Sequence, residues 1–375
     1  MQGAQIIVLA TPVFLLLIGL EFVVGLRRGR NTYRLNDALN SIGLGIASQL
    51  AGVFSKLMTL GIYSLVFAHF SLWHLPSDAL WVWLLALLGY DFCYYWLHRC
   101  GHRCALFWAA HVVRHQSEDY NLSTALRQTS SGWVAGWLFY LPLAVLGVPP
   151  LVFAVVALVD LLYQFWVHTQ LVGKLGWFDR WFCSPSNHRA HHAVNERYLD
   201  RNYGGMLIVW DRLFGTFVEE DDAEPCVYGT RSPLRSWNPL WANLQVYADL
   251  ARDSWRAERW ADKLRVWFMP PGWRPADVAA RFPKPPFVLE QVQRFDPPAR
   301  RRAQALALLL FILLLGATAT FLWTAHTLDL GQRIGAAAAI VGGLWCVGVL
   351  SGGSGSSRRS SANGTDGRSA AQSPN

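Results

Sequence analysis

The chain has 375 residues, 53% of them hydrophobic and only 15% charged, with a mean hydropathy of +0.21, a balance too apolar for an ordinary soluble domain and expected of a membrane protein. The net charge of +8 raises nucleic acid as a partner, but the arginines lie beside apolar segments rather than in a basic stripe interleaved with exposed aromatics, which argues against it. The cysteines Cys93, Cys100, Cys104, Cys183, Cys226 and Cys346 are scattered through apolar or histidine-rich sequence, so they read as reduced thiols rather than as a secreted disulfide framework.

The first apolar run, Ile6 to Leu26, is long enough to cross a bilayer and ends in "RRGR" without a small-residue cleavage site, so it is expected to be retained. Leu39 to Phe70 and Ala79 to Leu97 follow, joined by a polar connector containing Pro76, and complete an N-terminal transmembrane unit over residues 1–97. A histidine-rich region, 98–224, comes next. Within it, residues 133–167 hold two apolar stretches, Trp133 to Val148 and Leu151 to Val167, predicted to form a helical hairpin. Its break falls at Pro149 and Pro150, whose fixed φ and missing N–H interrupt a helix. The polar segment 225–302 contains "NLQVYADLARDSWRAERWADKLRVWF", with Trp, Leu and Val among charges at helical spacing. It reads equally as an amphipathic helix lying along the headgroups and as a soluble capping helix. Residues 303–350 hold a last pair of spans, Ala303 to Ala325 and Ile334 to Leu350, and the Gly/Ser/Arg tail, 351–375, is expected to be disordered.

Orientation follows from the positive residues beside the spans, which stay cytoplasmic. With Arg27, Arg28 and Arg30 inside, the next two spans return His98 to the cytoplasm, and the hairpin delivers His168 to the same side as Arg300 to Arg302, Arg358 and Arg359. The expected fold class is thus an all-α, multi-pass integral membrane protein, a transmembrane helix bundle with a histidine-rich helical cap on its cytoplasmic side.

Eight of the eleven histidines fall at that boundary: His98, His102, His111, His115, His168, His188, His191 and His192. His98 and His102 are four apart and share a helix face, with Cys100 and Cys104 on the other, which argues against a Cys₂His₂ zinc site in that segment. In "SPSNHRAHH", His188 and His192 share a face while His191 is turned by about 100°, so the triplet can serve two neighbouring metals. His69, His74 and His326 lie toward the other side and read as ordinary core or surface residues. Asp91, Asp160 and Gln164 lie one to two turns before His98 and His168, at intervals that allow hydrogen bonds to ligating rings; the alternative is that they satisfy polar neighbours in their own helices.

Imidazole suits Zn, Cu, Fe and Ni alike, so ligand type does not select the metal. Histidines enough for two ions, opening toward acyl-chain depth, fit activation of O₂ for attack on an unactivated C–H or ether-adjacent carbon. Hydrolysis by a zinc-bound water would call on a carboxylate base, for which Glu118 and Asp119 are the near candidates. A haem protein needs few histidines, and the surplus here disfavours it.

From about Tyr90 to Glu220 the chain resembles the sterol desaturase and fatty acid hydroxylase superfamily of membrane non-haem di-iron enzymes, through "DFCYYWLHRCGH", "HVVRHQSEDYNLSTALRQ", "LLYQFWVHTQ", "SPSNHRAHH" and "DRNYGGMLIVWDRLFGTF". Within it, "SEDYNLSTALRQ", "YQFWVHT" and "NYGGMLIVWDRLFGTF" look most like the alkylglycerol monooxygenase branch and its bacterial relatives. The resemblance implies two Fe ions held by the eight histidines, O₂, and an external reductant, a tetrahydropterin in that branch. It also implies a membrane lipid substrate such as a fatty acyl, sterol or ether lipid, hydroxylated or cleaved by hydroxylation. No GxGxxG-like motif or cytochrome b5-like segment is present, so the electron donor is expected to lie outside the chain.

One position departs from the superfamily pattern HxxHH: Arg114 stands between His111 and His115 where a histidine is expected. A guanidinium offers no lone pair, so Arg114 cannot be a ligand. Three readings follow: water or a side chain such as Gln116 fills the position, only one iron is well held, or the protein is a catalytically impaired metal-binding relative. Glu118, four residues on, is expected to pair with Arg114. Tyr120 and Asn121 read either as hydrogen-bonding partners of a lipid headgroup or, for Asn121 or Ser123, as a helix cap. Asp211 and Arg212 are expected to form an interfacial clamp.

Overall fold

The computed structural model describes residues 3–353, and among these residues it is all-helical, with two isolated bridges, Phe182 to Leu207 and Ala193 to Tyr228, and no strand. Among the described residues five helices are long and apolar enough to cross a membrane: α1 (Gly3–Arg27), α2 (Leu35–Phe70), α3 (Leu80–Arg103) and, after the polar region, α13 (Arg301–Thr324) and α14 (Leu330–Gly348). Their outer faces leave Leu16, Leu80 and Leu313 more than 60% exposed, a surface that lipid rather than water covers. Inside the bundle, Leu39, Ile46 and Leu50 of α2 pack with Phe311, Leu314 and Phe321 of α13 and Ile340 and Leu344 of α14.

Between α3 and α13 the chain builds short elements: α4 (Ala105–His111), α5 (Leu141–Val145), α6 (Pro150–Trp166), α7 (Phe178–Trp181), α8 (Pro185–His192), α9 (Val209–Leu213), α10 (Pro239–Arg256), α11 (Trp260–Phe268) and α12 (Ala276–Arg281). The expected hairpin is only half helical. Residues 132–140 form two 3₁₀ turns leading into the five-residue α5, and only α6 is a sustained helix. Gly132, Gly136 and Pro142 interrupt the first arm, and Gly147 closes it at φ +87°, where a Cβ would lie 1.7 Å from the Trp73 carbonyl oxygen. Neither arm is among the five spans. Leu143, Ala144, Val148, Val152 and Val156 instead pack against Tyr63 of α2 and Ala86 and Cys93 of α3, so one face of the hairpin packs on the bundle while Val134, Leu138, Leu146 and Leu151 stay exposed.

Three tertiary ties bring the N-terminal helices to the histidine-rich region. Glu21 of α1 accepts hydrogen bonds from the Leu122 N–H at 2.7 Å, Thr169 Oγ1 at 2.5 Å and the Tyr33 hydroxyl. Arg127, fully buried, donates to the Val113 carbonyl and to Asn40 and Ser41 of α2. Asp91 of α3 accepts from the Met206 and Leu207 N–H groups and the Trp210 indole. The polar segment forms α10 and α11, which leave Trp255, Trp260, Leu264 and Phe268 more than 60% exposed.

At the C-terminus, residues 349–353 continue α14 by a wider turn, in which Ser351 is buried and its carbonyl accepts from Asn36; the ordered chain therefore runs past Ser351, where the tail was expected to begin. Residues 354–375, the rest of that tail, lie outside the described residues. All six cysteines are free.

Candidate metal centre

Two of the histidine-bearing segments are held by side-chain contacts to the backbone around them. Ser184 caps α8 by accepting from the Asn187 N–H, with Pro185 as its first residue. Arg189, inside α8, grips Glu220 with two contacts of 2.8 and 2.6 Å and donates to the Thr169 and Val172 carbonyls. The Arg127 bond to the Val113 carbonyl fixes the turn that joins His111 to His115. The histidine-bearing segments are thus held from the polypeptide around them.

All eight boundary histidines come together, in two groups. His98, His102, His111, His115 and His191 form one and His168, His188 and His192 the other, with the potential ligand atoms of each group within 4.8 Å of one another. The Nε2 atoms of His98 and His111, and of His111 and His115, are 3.1 Å apart; those of His188 lie 3.2 Å from both His168 and His192. The α8 triplet divides as its helical angles dictate, His191 into the first group and His188 and His192 into the second. The groups adjoin where His115 and His192 stack, with centroids 4.3 Å apart.

The other ring nitrogens are held by a turn whose role sequence reasoning missed. In residues 200–205, "DRNYGG", Asp200 and Asn202 adopt left-handed φ of 56° and 57°, conformations that non-glycine residues rarely hold without support. The turn supplies the Tyr203 carbonyl to His98 Nδ1 at 2.8 Å, the Arg201 carbonyl to His191 Nδ1 at 2.8 Å, and the Asp200 carboxylate to His102 Nδ1 at 3.3 Å. Buried Asp211 supports it from below, accepting from the Tyr203 and Gly204 N–H groups, each at 2.7 Å, and from the Thr216 hydroxyl at 2.6 Å. Asp211 is therefore the anchor of the turn, not an interfacial clamp; Arg212 alone is at the surface, donating to the Arg180 carbonyl. The signal available in the sequence was a polar DRN run beside paired glycines.

Asp91, Asp160 and Gln164 converge on one another rather than on imidazole edges. Asp91 binds the 206–210 backbone and indole as described, and Asp160 accepts from the Gln164 amide at 2.6 Å. Gly205 fits between them: a Cβ there would lie 2.9 Å from an oxygen of each carboxylate and 2.8 Å from the Tyr94 ring. The hydrogen bond that reaches a ring is made by the Gln164 main-chain carbonyl, 2.8 Å from His168 Nδ1. Cys183 Sγ lies 3.9 Å from His188 Nδ1.

Arg114 does not pair with Glu118. Its guanidinium donates to Gln164 Oε1 at 2.9 Å and to the Tyr94 hydroxyl at 3.3 Å. Glu118 instead accepts from the Phe295 N–H and faces Arg34 at 3.7 Å, and Asp119 pairs with Arg34 at 2.8 Å. Both carboxylates are thereby committed to a network away from the imidazoles. Gln116 also turns away, donating to the Ala242 carbonyl at 3.0 Å, so it does not fill the place opposite Arg114. Asn121 accepts from the Ser123 N–H and hydroxyl in the turn ahead of the 3₁₀ element 124–126, which carries no side-chain cap, so neither residue caps it as expected; the Tyr120 hydroxyl donates to the Val167 carbonyl while its ring stacks on His168.

Burial first, and the Arg114 charge second, push the His168 imidazole down to about 3. Burial and then neighbouring rings lower His111, His115, His188, His191 and His192 well below the ordinary histidine value. These rings are neutral near pH 7, the form that offers a lone pair to a metal. His102 and His191 each have a buried Nε2 without a hydrogen-bond partner while Nδ1 is occupied. An uncompensated buried nitrogen costs on the order of 1–3 kcal/mol, and a bound cation removes that cost. The donor set fits two transition-metal ions.

A cavity of about 440 Å³ adjoins the first group. His98, His111 and Arg114 line it together with the apolar Leu97, Leu106 and Phe107 and the hydroxyl-bearing Ser131 and Tyr247.

The profile of the fatty acid hydroxylase family matches residues 83–216. The chain is 42% identical over 267 residues to the alkylglycerol monooxygenase of Homo sapiens, a match covering 71% of this chain and 59% of that protein. It is 38% identical over 307 residues to that of Xenopus tropicalis, covering 82% of this chain and 68% of that protein. An ornithine lipid hydroxylase of Rhizobium tropici is 29% identical over 135 residues, 36% of this chain and 41% of that protein. The chain thus spans less than two thirds of the human relative's length and just over two thirds of the frog relative's. No solved structure matches.

Proposed function

This chain belongs to the fatty acid hydroxylase family, and from that premise and the two histidine groups we propose that it is a membrane-bound, O₂-dependent oxygenase that hydroxylates a lipid, or cleaves an ether lipid by hydroxylation, with two non-haem Fe ions. The observation that carries the reading is the gathering of eight histidines in two groups, two of them with unpartnered Nε2 atoms, beside a largely apolar cavity in a membrane helix bundle. His98, His102, His111, His115 and His191 would hold one ion and His168, His188 and His192 the other. Bound iron would supply the oxidising chemistry that side chains lack, directed at an unactivated C–H bond with electrons from an external donor.

The chain's own contribution is orientation and exclusion. The 200–205 turn and the Gln164 carbonyl fix four rings, and Leu97, Leu106 and Phe107 keep the cavity dry and seat an alkyl chain. On the resemblance to alkylglycerol monooxygenases, we assign a tetrahydropterin as the reductant. Arg27, Arg28 and Arg30 after α1, and Arg300 to Arg302 before α13, support a cytoplasmic site. The exposed Trp255 and Trp260 support α10 and α11 lying at the headgroups. The test is oxygen uptake and product mass spectrometry with iron-loaded protein, a pterin and panels of alkylglycerols, fatty acyl lipids and sterols. An oxygenated product that depends on iron supports the reading, and no product from any panel, in protein that binds iron, contradicts it.

A second reading rests on Arg114. Its guanidinium is tied to Tyr94 and Gln164 beside the three-histidine group, which has two fewer imidazoles than its neighbour. On that reading the second ion is weakly held and turnover is impaired, and iron content with turnover in Arg114→His distinguishes the two.

A further inference from the structure

Arg114 presents a charge without an ion pair in the wall of the cavity. Among the described residues no carboxylate lies within salt-bridge distance of it: Glu118 and Asp119 belong to Arg34, and Asp160 stands behind the Gln164 amide. Two of its five N–H groups are spent, on Gln164 and Tyr94, and those bonds pin the guanidinium in place. Because Gln164 is itself held by Asp160 at 2.6 Å, the arrangement is preorganised. The cavity wall is apolar at Leu97, Leu106, Phe107 and Val134 and carries hydroxyls at Ser131 and Tyr247. A fixed guanidinium in the wall of a largely apolar cleft selects an amphiphile whose head is an oxyanion, the group that a planar fork of donors binds best.

We propose that Arg114 is the head-group anchor of the substrate, and that the substrate is a single-chain lipid carrying a carboxylate or phosphate. This rests on the oxygenase reading only in taking the cavity as the substrate site. The oxyanion sits on the guanidinium and the chain runs outward along Phe107 and Val134. His98 and His111 line the same cavity and His111 is three residues from Arg114, so the carbon offered for oxidation lies within a few bonds of the head rather than at the far end of the chain.

The experiment measures binding without turnover, in full-length metal-free protein reconstituted in nanodiscs of neutral lipid, so it does not depend on whether the protein is an active oxygenase. Dodecanoate, dodecyl phosphate and dodecanol are titrated into wild type, Arg114→Gln and Arg114→Lys. In wild type at least one anion binds roughly 10-fold or more tighter than the alcohol, the scale of a charge-assisted contact in a dry site. Preference for dodecanoate identifies a fatty acid class and preference for dodecyl phosphate a phospholipid class. Arg114→Gln equalises anion and alcohol, and Arg114→Lys retains part of the preference. Equal binding of all three ligands by the wild type, or a preference undiminished in Arg114→Gln, overturns the proposal. If Arg114→Gln fails to fold, the wild-type ratio and its reduction in Arg114→Lys still decide.

Discussion

Asp211→Asn is an isosteric change at a residue that touches none of the eight histidines directly, and it strikes the support of the ring-orienting turn. The carboxylate accepts from the Tyr203 and Gly204 N–H groups on separate oxygens and from Thr216 on the first of them. An asparagine can keep the Tyr203 and Thr216 bonds only by turning its amide NH₂ toward the Gly204 N–H, placing donor against donor. The loss comprises one charge-assisted bond and one orphaned buried N–H, together about 3 kcal/mol. The strained residues Asp200 and Asn202 then relax, and with them the carbonyls of Arg201 and Tyr203 and the Asp200 carboxylate that hold His191, His98 and His102. Supports of this kind are worth about 10–100-fold in metal affinity. The assay is iron content after dialysis against graded chelator, paired with thermal unfolding in detergent. Weaker retention of one ion, with a lowered melting temperature, is expected. Unchanged retention with a lowered melting temperature would show that the turn stabilises the fold without orienting the ligands, and would refute the reasoning.

Gly205→Ala drives a Cβ to within 2.9 Å of oxygens on Asp91 and Asp160; Asp91 is fixed by three donors and cannot yield, so a loss of about 1–3 kcal/mol is expected from thermal unfolding. Arg114→His, which restores an imidazole beside His168, is expected to raise iron occupancy of the three-histidine group, read by elemental analysis. Acid should destabilise the metal-free protein. His168 is held neutral in the fold, down to about 3, so its folded form binds fewer protons than the unfolded chain between about 6.5 and 3. The stability it contributes is present above that window and lost as pH falls through it, and melting temperatures across the range check the sign.

The histidines were legible because their message is local: spacings of four residues put pairs on one helix face, and the apolar runs beside them fixed their depth. The five spans were legible for the same reason, as length and hydropathy suffice. What failed was longer in range. The 133–148 stretch is as apolar as a span, yet Gly132, Gly136 and Pro142 break it and the walls of α2 and α3 decide its shape. Glu118 is well spaced to meet Arg114 on a helix, but the chain there is a 3₁₀ turn, and Arg34, more than eighty residues earlier, claims it. The 200–205 turn holds His98 and His191 through the Tyr203 and Arg201 backbone carbonyls, which no residue type announces, and only Asp200 acts through its side chain. Asp211 anchors that turn through contacts five to eight residues away in a loop with no periodicity to read.

The most direct measurement is metal content by elemental analysis of purified, detergent-solubilised protein, wild type beside His102→Ala and His188→Ala, one substitution in each histidine group. The two-group geometry predicts about two ions per chain in the wild type and about one in each variant. A wild type that binds no transition metal after reconstitution with Fe(II), while remaining folded, would contradict the central claim.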